Sequence, residues 1–452
     1  MSVEKSNQNL SELQDKIRQQ YDCLPYPESD VDYLPHDDLS YLFVHSLVTP
    51  YYLRYQQVVS SQNKIILDAG CGSGYNTLVL ALANPGARVI GVDLSEKSID
   101  LARQRSSYHG FDNVEFYALP LEEIESLNYQ FDYINCDEVL YLLPDPEQVL
   151  KIFNQVLKPQ GIIRANLHSY YQRSSYYRSQ KVFKLLGLFE EESVDIALEL
   201  VQEFLESLNE QIKLKQIYEY FKSTRKPDPK RLKQWLLTNF LLQGDKGYTI
   251  SELFDLLEFA ELDFISMVNW RQWEVTDLFK EDGNLPMFLH LGLENASQAE
   301  KLELFELSHP IHRLLDFWAV KQNDDPQPIL PVNWSEKQWQ SCKIHLHPIL
   351  AKQQVKEDLL EAINKNENFE ISQYVPYTTS YPLILDRLLA ECLLPLWEGA
   401  ESFSQISNRW INLKSSSSDT SNSGKNREQM QTQIKNILVQ LETYTYILLE
   451  SV

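Results

Sequence analysis

The chain has 452 residues, about three times a common domain length, so two or three units are expected rather than one core. Hydrophobic residues make up 43% and aromatics 12%, ample for a globular interior, and no window reaches the roughly 18 uncharged apolar residues of a membrane span. The formal charge of -23 repels phosphate backbones and anionic lipid headgroups, which argues against nucleic acid and membrane surfaces as partners. The five cysteines, Cys23, Cys71, Cys136, Cys342 and Cys392, form no CxxC pair; this suits a reducing compartment and argues against structural zinc. The opening MSVEKSNQNL lacks the basic and apolar regions of an export signal, so the expected address is the cytoplasm.

In chain order, residues 1–63 read as an N-terminal helix and cap. Ser11 and Gln14 have the spacing of a capping box, with Leu13 and Ile17 four apart behind them, and the Pro-rich run Tyr21 to Pro27 ends the helix. From Lys64 short apolar runs alternate with amphipathic stretches, as in a doubly wound α/β unit with a largely parallel sheet. The expected strands are Lys64 to Leu67, Arg88 to Val92, Asn113 to Tyr117, Phe131 to Asn135 and Gly161 to Leu167. Helices are expected at Tyr75 to Ala83, Glu96 to His109 and Pro146 to Leu157, the last with Asp145 as cap and Pro146 at the first helical position.

Residues 170–242 read as a helical insertion, in which Glu190 to Glu210 carries eight carboxylates and no base, the pattern of a solvated face. Thr249 and Glu252 form a capping box for a helix through Ala260, Asp263 to Trp270 reads as a strand, and Arg313 to Val320 as a strand or a helix. The polar, proline-containing run Gln322 to Pro331 marks a boundary that closes a domain over 64–320. Beyond it, 321–452 reads as mostly helical, with segments near Ser335 to Leu350, Gln354 to Asn364, Pro382 to Gly399 and Met430 to Leu449; the tract 415–423 is expected to be disordered.

The informative segment is Ile65 to Gly74, where a buried strand ends and a helix begins. Gly70, Gly72 and Gly74 leave backbone amides unobstructed beside a helix N-terminus, so the polar end of a ligand can approach closely. The spacing is GxGxG, not the GxGxxG of a dinucleotide-binding turn, and Asp68 stands two residues before the first glycine. A carboxylate there repels a pyrophosphate and attracts an ammonium, implying a zwitterionic or cationic ligand. Asp93 ends the next strand, where an acid accepts hydrogen bonds from both ribose hydroxyls, and Leu94 is placed to pack on adenine.

The runs DAGCGSG, VIGVDLS, FDYINCDEVLYLLPDP and VLKPQGII resemble the class I S-adenosylmethionine-dependent methyltransferases, in particular the bacterial kind with a methyltransferase domain of the 11/12/25 type. The resemblance is close over Lys64 to Leu167, weaker to about Val320 and absent from Lys321 onward. It implies a Rossmann-like, seven-stranded α/β sheet. It also implies S-adenosyl-L-methionine as cofactor, with Gly70, Gly72 and Gly74 at the methionine end, Asp68 on its amino group, Asp93 on the ribose, Leu94 and Leu119 flanking the adenine, and Asp137 or its neighbours near the methyl. Two positions depart from the family pattern. Tyr117 to Leu121 lacks the Asp that often binds the adenine amino group, leaving a backbone carbonyl or Glu122, and Tyr141-Leu142 stands where a histidine pair is frequent.

Methyl transfer from a sulfonium needs mainly an in-line nucleophile held close, so acids and bases are optional. Tyr21, Tyr26, Tyr141, Tyr170 and Tyr171 lie in segments that can reach the strand ends, where aromatic faces suit a sulfonium. Tyr141 and His168 are the candidate catalytic side chains, each with a structural role as the alternative. His309 with His312, and His345 with His347, lack partner ligands, and no metal is expected. The resulting reading is a methyltransferase acting on a small-molecule or protein acceptor, with the insertion as its lid; a methyltransferase-like scaffold is the alternative, and the glycine spacing disfavours a nicotinamide dehydrogenase. Acceptor and oligomeric state are not encoded in these motifs.

Overall fold

The computed structural model describes residues 2–23, 30–34, 36, 38–191, 193–280, 285–322, 326, 328–375, 382–417 and 423–451. Helix α1 (Ser2–Cys23) is followed by α2 (Leu39–Val44) and α3 (Val48–Tyr55). The doubly wound unit then runs β1 (Ile65–Ala69), α4 (Tyr75–Ala83), β2 (Arg88–Asp93), α5 (Glu96–His109), β3 (Val114–Ala118), β4 (Phe131–Cys136), α6 (Pro146–Val156) and β5 (Leu157–Ser169). Helices α7 (Tyr170–Leu185), α8 (Val194–Ser207), α9 (Lys213–Arg225) and α10 (Pro229–Phe240) form the insertion. Next come β6 (Gly247–Tyr248), α11 (Ile250–Phe259), β7 (Leu262–Met267), α12 (Met287–Asn295), α13 (Gln298–Ser308) and β8 (Leu314–Lys321).

The sheet order is β3-β2-β1-β4-β5-β8-β7, seven strands in one path, with the short β6 pairing beside β5. Strands β1 to β5 pair in parallel and β8 is antiparallel to both β5 and β7. The order reverses between β1 and β4, and in open α/β sheets the crevice at such a reversal, outside the strand carboxyl ends, is where ligands bind. The mixed, Rossmann-like seven-stranded sheet is as expected. The ambiguous run at 313–320 is a strand because Leu315, Phe317 and Ala319 join one core cluster while Trp318 and Val320 join another, so both faces of the chain are buried.

Local signals set several boundaries. Asp145 caps α6 with Pro146 in its first turn, and Thr249 with Glu252 makes the expected capping box of α11. At the N-terminus the expectation is corrected: α1 begins at Ser2, so Ser11 lies inside the helix rather than at its cap. The helix ends at Cys23, while 24–29, including Tyr26, lie outside the described residues. The insertion has its own core, in which Phe183, Val201, Leu205, Tyr218 and Phe240 are fully buried.

Past β8 the chain is mostly helical, as expected, yet two segments are corrected. Helix α14 (Glu336–Ser341) stops short and Cys342–Leu346 is strand β9; Cys342, Ile344 and Leu346 are buried while Lys343 faces outward. Helix α15 (Gln353–Lys365), the short strands β10 (Phe369–Glu370) and β11 (Ile384–Leu385), α16 (Arg387–Leu393), β12 (Glu401–Ser402) and α17 (Phe403–Ser417) follow. Helix α18 (Ser423–Thr443) ends before Leu449, and Ile447–Ser451 forms β13, which with β12 sandwiches β9 in a three-stranded antiparallel sheet. Of the tract 415–423, Ser415 to Ser417 continue α17 as helix, correcting the expectation of disorder there, and 418–422 lie outside the described residues.

This region shares its interior with the front of the chain. Leu34, Leu42, Phe43, Leu78, Val79 and Ala83 belong to one cluster with Ile344, Leu350, Leu359, Leu393 and Leu438. The Tyr52 hydroxyl donates to Glu442 Oε1 (2.9 Å) and accepts from the Leu449 amide (3.0 Å), and Thr49 Oγ1 lies 3.0 Å from His347 Nε2.

Candidate active site

A cleft of about 880 Å³, mouth included, opens at the carboxyl ends of β1 to β4. Its floor is Gly70 and Gly72 after β1 and Asp93, Leu94, Ser95 and Ser98 after β2. Pro120, Leu121 and Glu122 follow β3, and Asp137, Glu138, Val139, Leu142, Leu143 and Pro144 follow β4. Helix α1 supplies the roof through Gln14, Ile17, Arg18 and Tyr21. It is pinned by the Gln14 amide donating to Glu122 Oε1 (2.8 Å) and by the Ser95 hydroxyl donating to Asp22 Oδ1 (2.5 Å). Motif reading placed no lining residue on α1 before Tyr21; the Leu13 and Ile17 spacing was the available signal.

The glycine loop is built by backbone geometry. Gly70, Gly72 and Gly74 have φ of +79°, +50° and +80°, the left-handed region that L side chains resist. Gly74 caps α4 and touches α5, since a Cβ there would sit 2.6 Å from Ala102 Cβ. It therefore serves helix packing and does not line the cleft. Asp93 accepts from the Gly72 amide at Oδ2 and the Ser95 amide at Oδ1, both at 2.9 Å, which ties the second strand end to the loop. Burial raises its pKa against the lowering effect of those amides.

Besides Gly74, two further expected contacts are not where the motif put them. Asp68 lies beneath the loop and off the cleft wall; its oxygens accept from Thr77 Oγ1 (2.6 Å) and Asn135 Nδ2 (3.0 Å), and burial pushes its carboxyl up to about 6. Its place is under the loop it supports. Leu119 also leaves the wall: its amide donates to the Asp93 carbonyl (3.0 Å) and its side chain packs on the core, so Pro120 and Leu121 are the apolar residues facing the cleft.

Asp137 lines the cleft where β4 ends. It accepts from Asn166 Nδ2 (2.5 Å) and Asn76 Nδ2 (3.1 Å); although burial alone would raise its pKa, Arg164 at 3.5 Å and His45 at 3.7 Å hold it well below the usual carboxylate range. Glu138, one of the neighbours of Asp137 that the resemblance put near the methyl, has φ +61°, a strained value for a side-chain-bearing residue. Its amide donates to Asn166 Oδ1 (2.8 Å), its carboxylate accepts from the Tyr141 hydroxyl (2.7 Å), and it pairs with Arg313. Burial again opposes ionisation, and Arg313 prevails in lowering its pKa.

Glu138 and Tyr21 also line a second cavity of about 1100 Å³, mouth included, between the sheet and insertion helices α7 and α10. The candidate side chains Tyr141 and His168 meet there, their rings stacked at 3.6 Å between centroids and 21° between planes. His168 Nδ1 donates to Asp245 Oδ1 (2.7 Å) and Nε2 accepts from Arg313 (3.1 Å), a neutral tautomer assigned from its partners; burial lowers its pKa to about 4. Tyr141 is buried with its hydroxyl engaged by Glu138, which with burial raises its pKa well above the ordinary value. Both side chains are positioned as structural supports whose polar atoms already have partners. Tyr170 and Tyr171 lie outside both walls.

The cleft fits a sulfonium nucleoside by its chemistry: among the described residues Asp93, Glu122, Asp137 and Glu138 set four carboxylates on the wall against one cation, Arg18, beside the apolar strip of Leu94, Pro120 and Leu121. Among the described residues no group of three or more His, Cys, Asp or Glu could hold a metal, and no helix is long and apolar enough to cross a membrane.

Residues 60–227 match a family model described as a methyltransferase domain. A ubiquinone biosynthesis O-methyltransferase of Bordetella avium is 40% identical over 106 residues, covering 23% of this chain and 42% of the relative. An uncharacterised protein of Synechococcus is 35% identical over 122 residues, covering 27% of this chain and 29% of its own length. The matches thus span less than half of these relatives. At the level of fold, PKMT2 from Rickettsia typhi superimposes with a TM-score of 0.57 at 19% identity, covering 90% of this chain and 75% of that one; its complex with AdoHcy also gives 0.57, at 17% identity, covering 94% and 77%.

Proposed function

We propose that this chain, whose residues 60–227 match a methyltransferase-domain model, is a class I S-adenosylmethionine-dependent methyltransferase that transfers a methyl group to an acceptor held beside its cofactor cleft. The carrying observation is the convergence of Gly70, Gly72, Asp93 and Leu94 on one wall at the point of strand-order reversal. S-adenosyl-L-methionine supplies, when bound, an electrophilic methyl whose S–C bond breaks as an acceptor lone pair forms the new bond, the electron pair returning to sulfur and the acceptor's proton passing to water. Asp93 holds the ribose hydroxyls, Leu94 with Leu121 flanks the adenine, and Glu122 is placed for its amino group. Gly70 and Gly72 admit the methionine end, with Asp68 acting from beneath the loop, and Asp137 and Glu138 favour the cationic end electrostatically.

The second cavity, which meets the cleft at Tyr21 and Glu138, receives the acceptor, and α7 to α10 exclude water from it. Residues 64–320 are the catalytic unit, α1 within 1–63 roofs it, and 321–452 complete its fold. Cys71, Cys136, Cys342 and Cys392 are free thiols, consistent with a cytoplasmic address. The test is calorimetry with S-adenosylhomocysteine followed by transfer of labelled methyl into cell extract. Binding without any labelled product would favour the scaffold reading, and absence of binding would end the proposal.

A further inference from the structure

The two adjoining cavities have opposite polarity. On the second, three guanidiniums, Arg173, Arg231 and Arg313, face one carboxylate, Glu138. This concentration of positive charge sits in a chain of formal charge -23. Arg313 is paired with Glu138, and Arg173 donates to Asp245 Oδ2 (3.1 Å) and Asn239 Oδ1 (3.2 Å). Arg231 has no side-chain ion-pair partner among the described residues, and it lies exposed at the cavity edge.

Deeper in, Arg173 is only 2% exposed, yet its Nε has no hydrogen-bond partner. That nitrogen is closed off from the cavity, so an oxygen anion there meets Arg173 only through the rest of its guanidinium and meets the exposed Arg231 directly. The remaining wall includes Tyr176 and Trp235, whose rings meet edge to face at 6.5 Å; Trp235 is backed flat by Phe221 at 4.1 Å. Such rigid faces suit a flat ring.

Building on the methyltransferase reading above, we infer that the second cavity takes a small ring-bearing molecule carrying an anionic oxygen group, held by Arg173 and Arg231, with the atom to be methylated directed to the junction at Tyr21 and Glu138. An acceptor carrying a protonated amine is repelled by the same guanidiniums.

The test uses the full chain. Binding of S-adenosylhomocysteine is measured first by calorimetry; its failure would defeat the methyltransferase reading itself. The saturated protein is then titrated with 4-hydroxybenzoate, phenyl phosphate, 4-hydroxybenzamide and tyramine. The anions should bind at least about tenfold tighter than the amide, and tyramine weakest, as charge-assisted contacts to arginine predict; the order of the two anions tells carboxylate from phosphate. Arg231→Gln should weaken the anions by about tenfold, with Arg231→Lys recovering part of the loss, and leave S-adenosylhomocysteine unaffected. With product bound, an anion affinity no better than the amide's, no anion binding at 10 mM probe (about the weakest affinity worth titrating), tightest binding by tyramine, or indifference to Arg231→Gln would each overturn the inference.

Discussion

Asp93 joins local structure to ligand chemistry, because its carboxylate receives two backbone amides and still faces the cleft. Asp93→Ala should weaken S-adenosylhomocysteine by about 1.5 to 3 kcal/mol in calorimetry, the scale of charge-assisted hydrogen bonds; unchanged affinity would place the ribose elsewhere. A pair of glycine variants separates backbone strain from collision. Gly74 and Gly110 both have positive φ, but only Gly74 meets neighbours, with Ala102 Cα at 2.8 Å from its would-be Cβ, whereas Gly110 has open space. Gly74→Ala should therefore cost about 1 to 3 kcal/mol more than Gly110→Ala in denaturant unfolding. Buried His347 contributes to the acid limb of stability. Burial lowers His347 from 6.5 to about 3, so its contribution is complete above pH 6.5 and is lost as pH falls toward 3. By linkage it removes about 2 kcal/mol by pH 5 relative to pH 8. Unfolding free energies across that window should show a shallower decline in His347→Gln; equal slopes would mean that other groups carry the acid sensitivity.

Helices decide access to the site. Because α1 roofs the cleft through Ile17, Arg18 and Tyr21, removing residues 2–23 should weaken S-adenosylhomocysteine at least about tenfold while leaving the sheet folded, by calorimetry and circular dichroism. Equal affinity in the shortened chain would show that the roof contributes nothing to binding. The insertion acts on the other cavity, to which it contributes Arg173, Tyr176, Arg231 and Trp235. Replacing 170–242 by a short linker should preserve product binding and abolish methyl transfer; full-rate transfer would refute its role as lid. Helix α4 and strand β8 illustrate different legibility. The α4 boundaries followed from a local strand-to-helix turn, whereas Leu314 to Lys321 supports either period until its pairing with both β5 and β7 is known. Strand β9 was legible after all, since Cys342, Ile344 and Leu346 alternate with Lys343 and His345; the capping box at Ser335 and Gln338 starts a helix that merely stops earlier.

Across the whole molecule, the segment past Lys321 is built into the fold. Its residues share a core with α2 and α4, and β13 places Leu448 in the cluster containing Tyr52 and Trp318. Truncation at Lys321 should therefore lower the thermal midpoint or cause aggregation, as expected when a shared apolar core is uncovered; an unchanged melt and mass would identify a tethered accessory unit. The sequence by itself determined the α/β class, the glycine loop, the acid after the second strand and the helical insertion, because each is a local pattern of spacing or periodicity. Tertiary structure alone decided that α1 roofs the cleft, that Asp68 and Leu119 turn away from it, that Glu138 stands between two cavities, and that three arginines converge on the second. Those facts depend on contacts between residues as far apart as Glu138 and Arg313, and no local pattern encodes which distant side chains the folded sheet brings together.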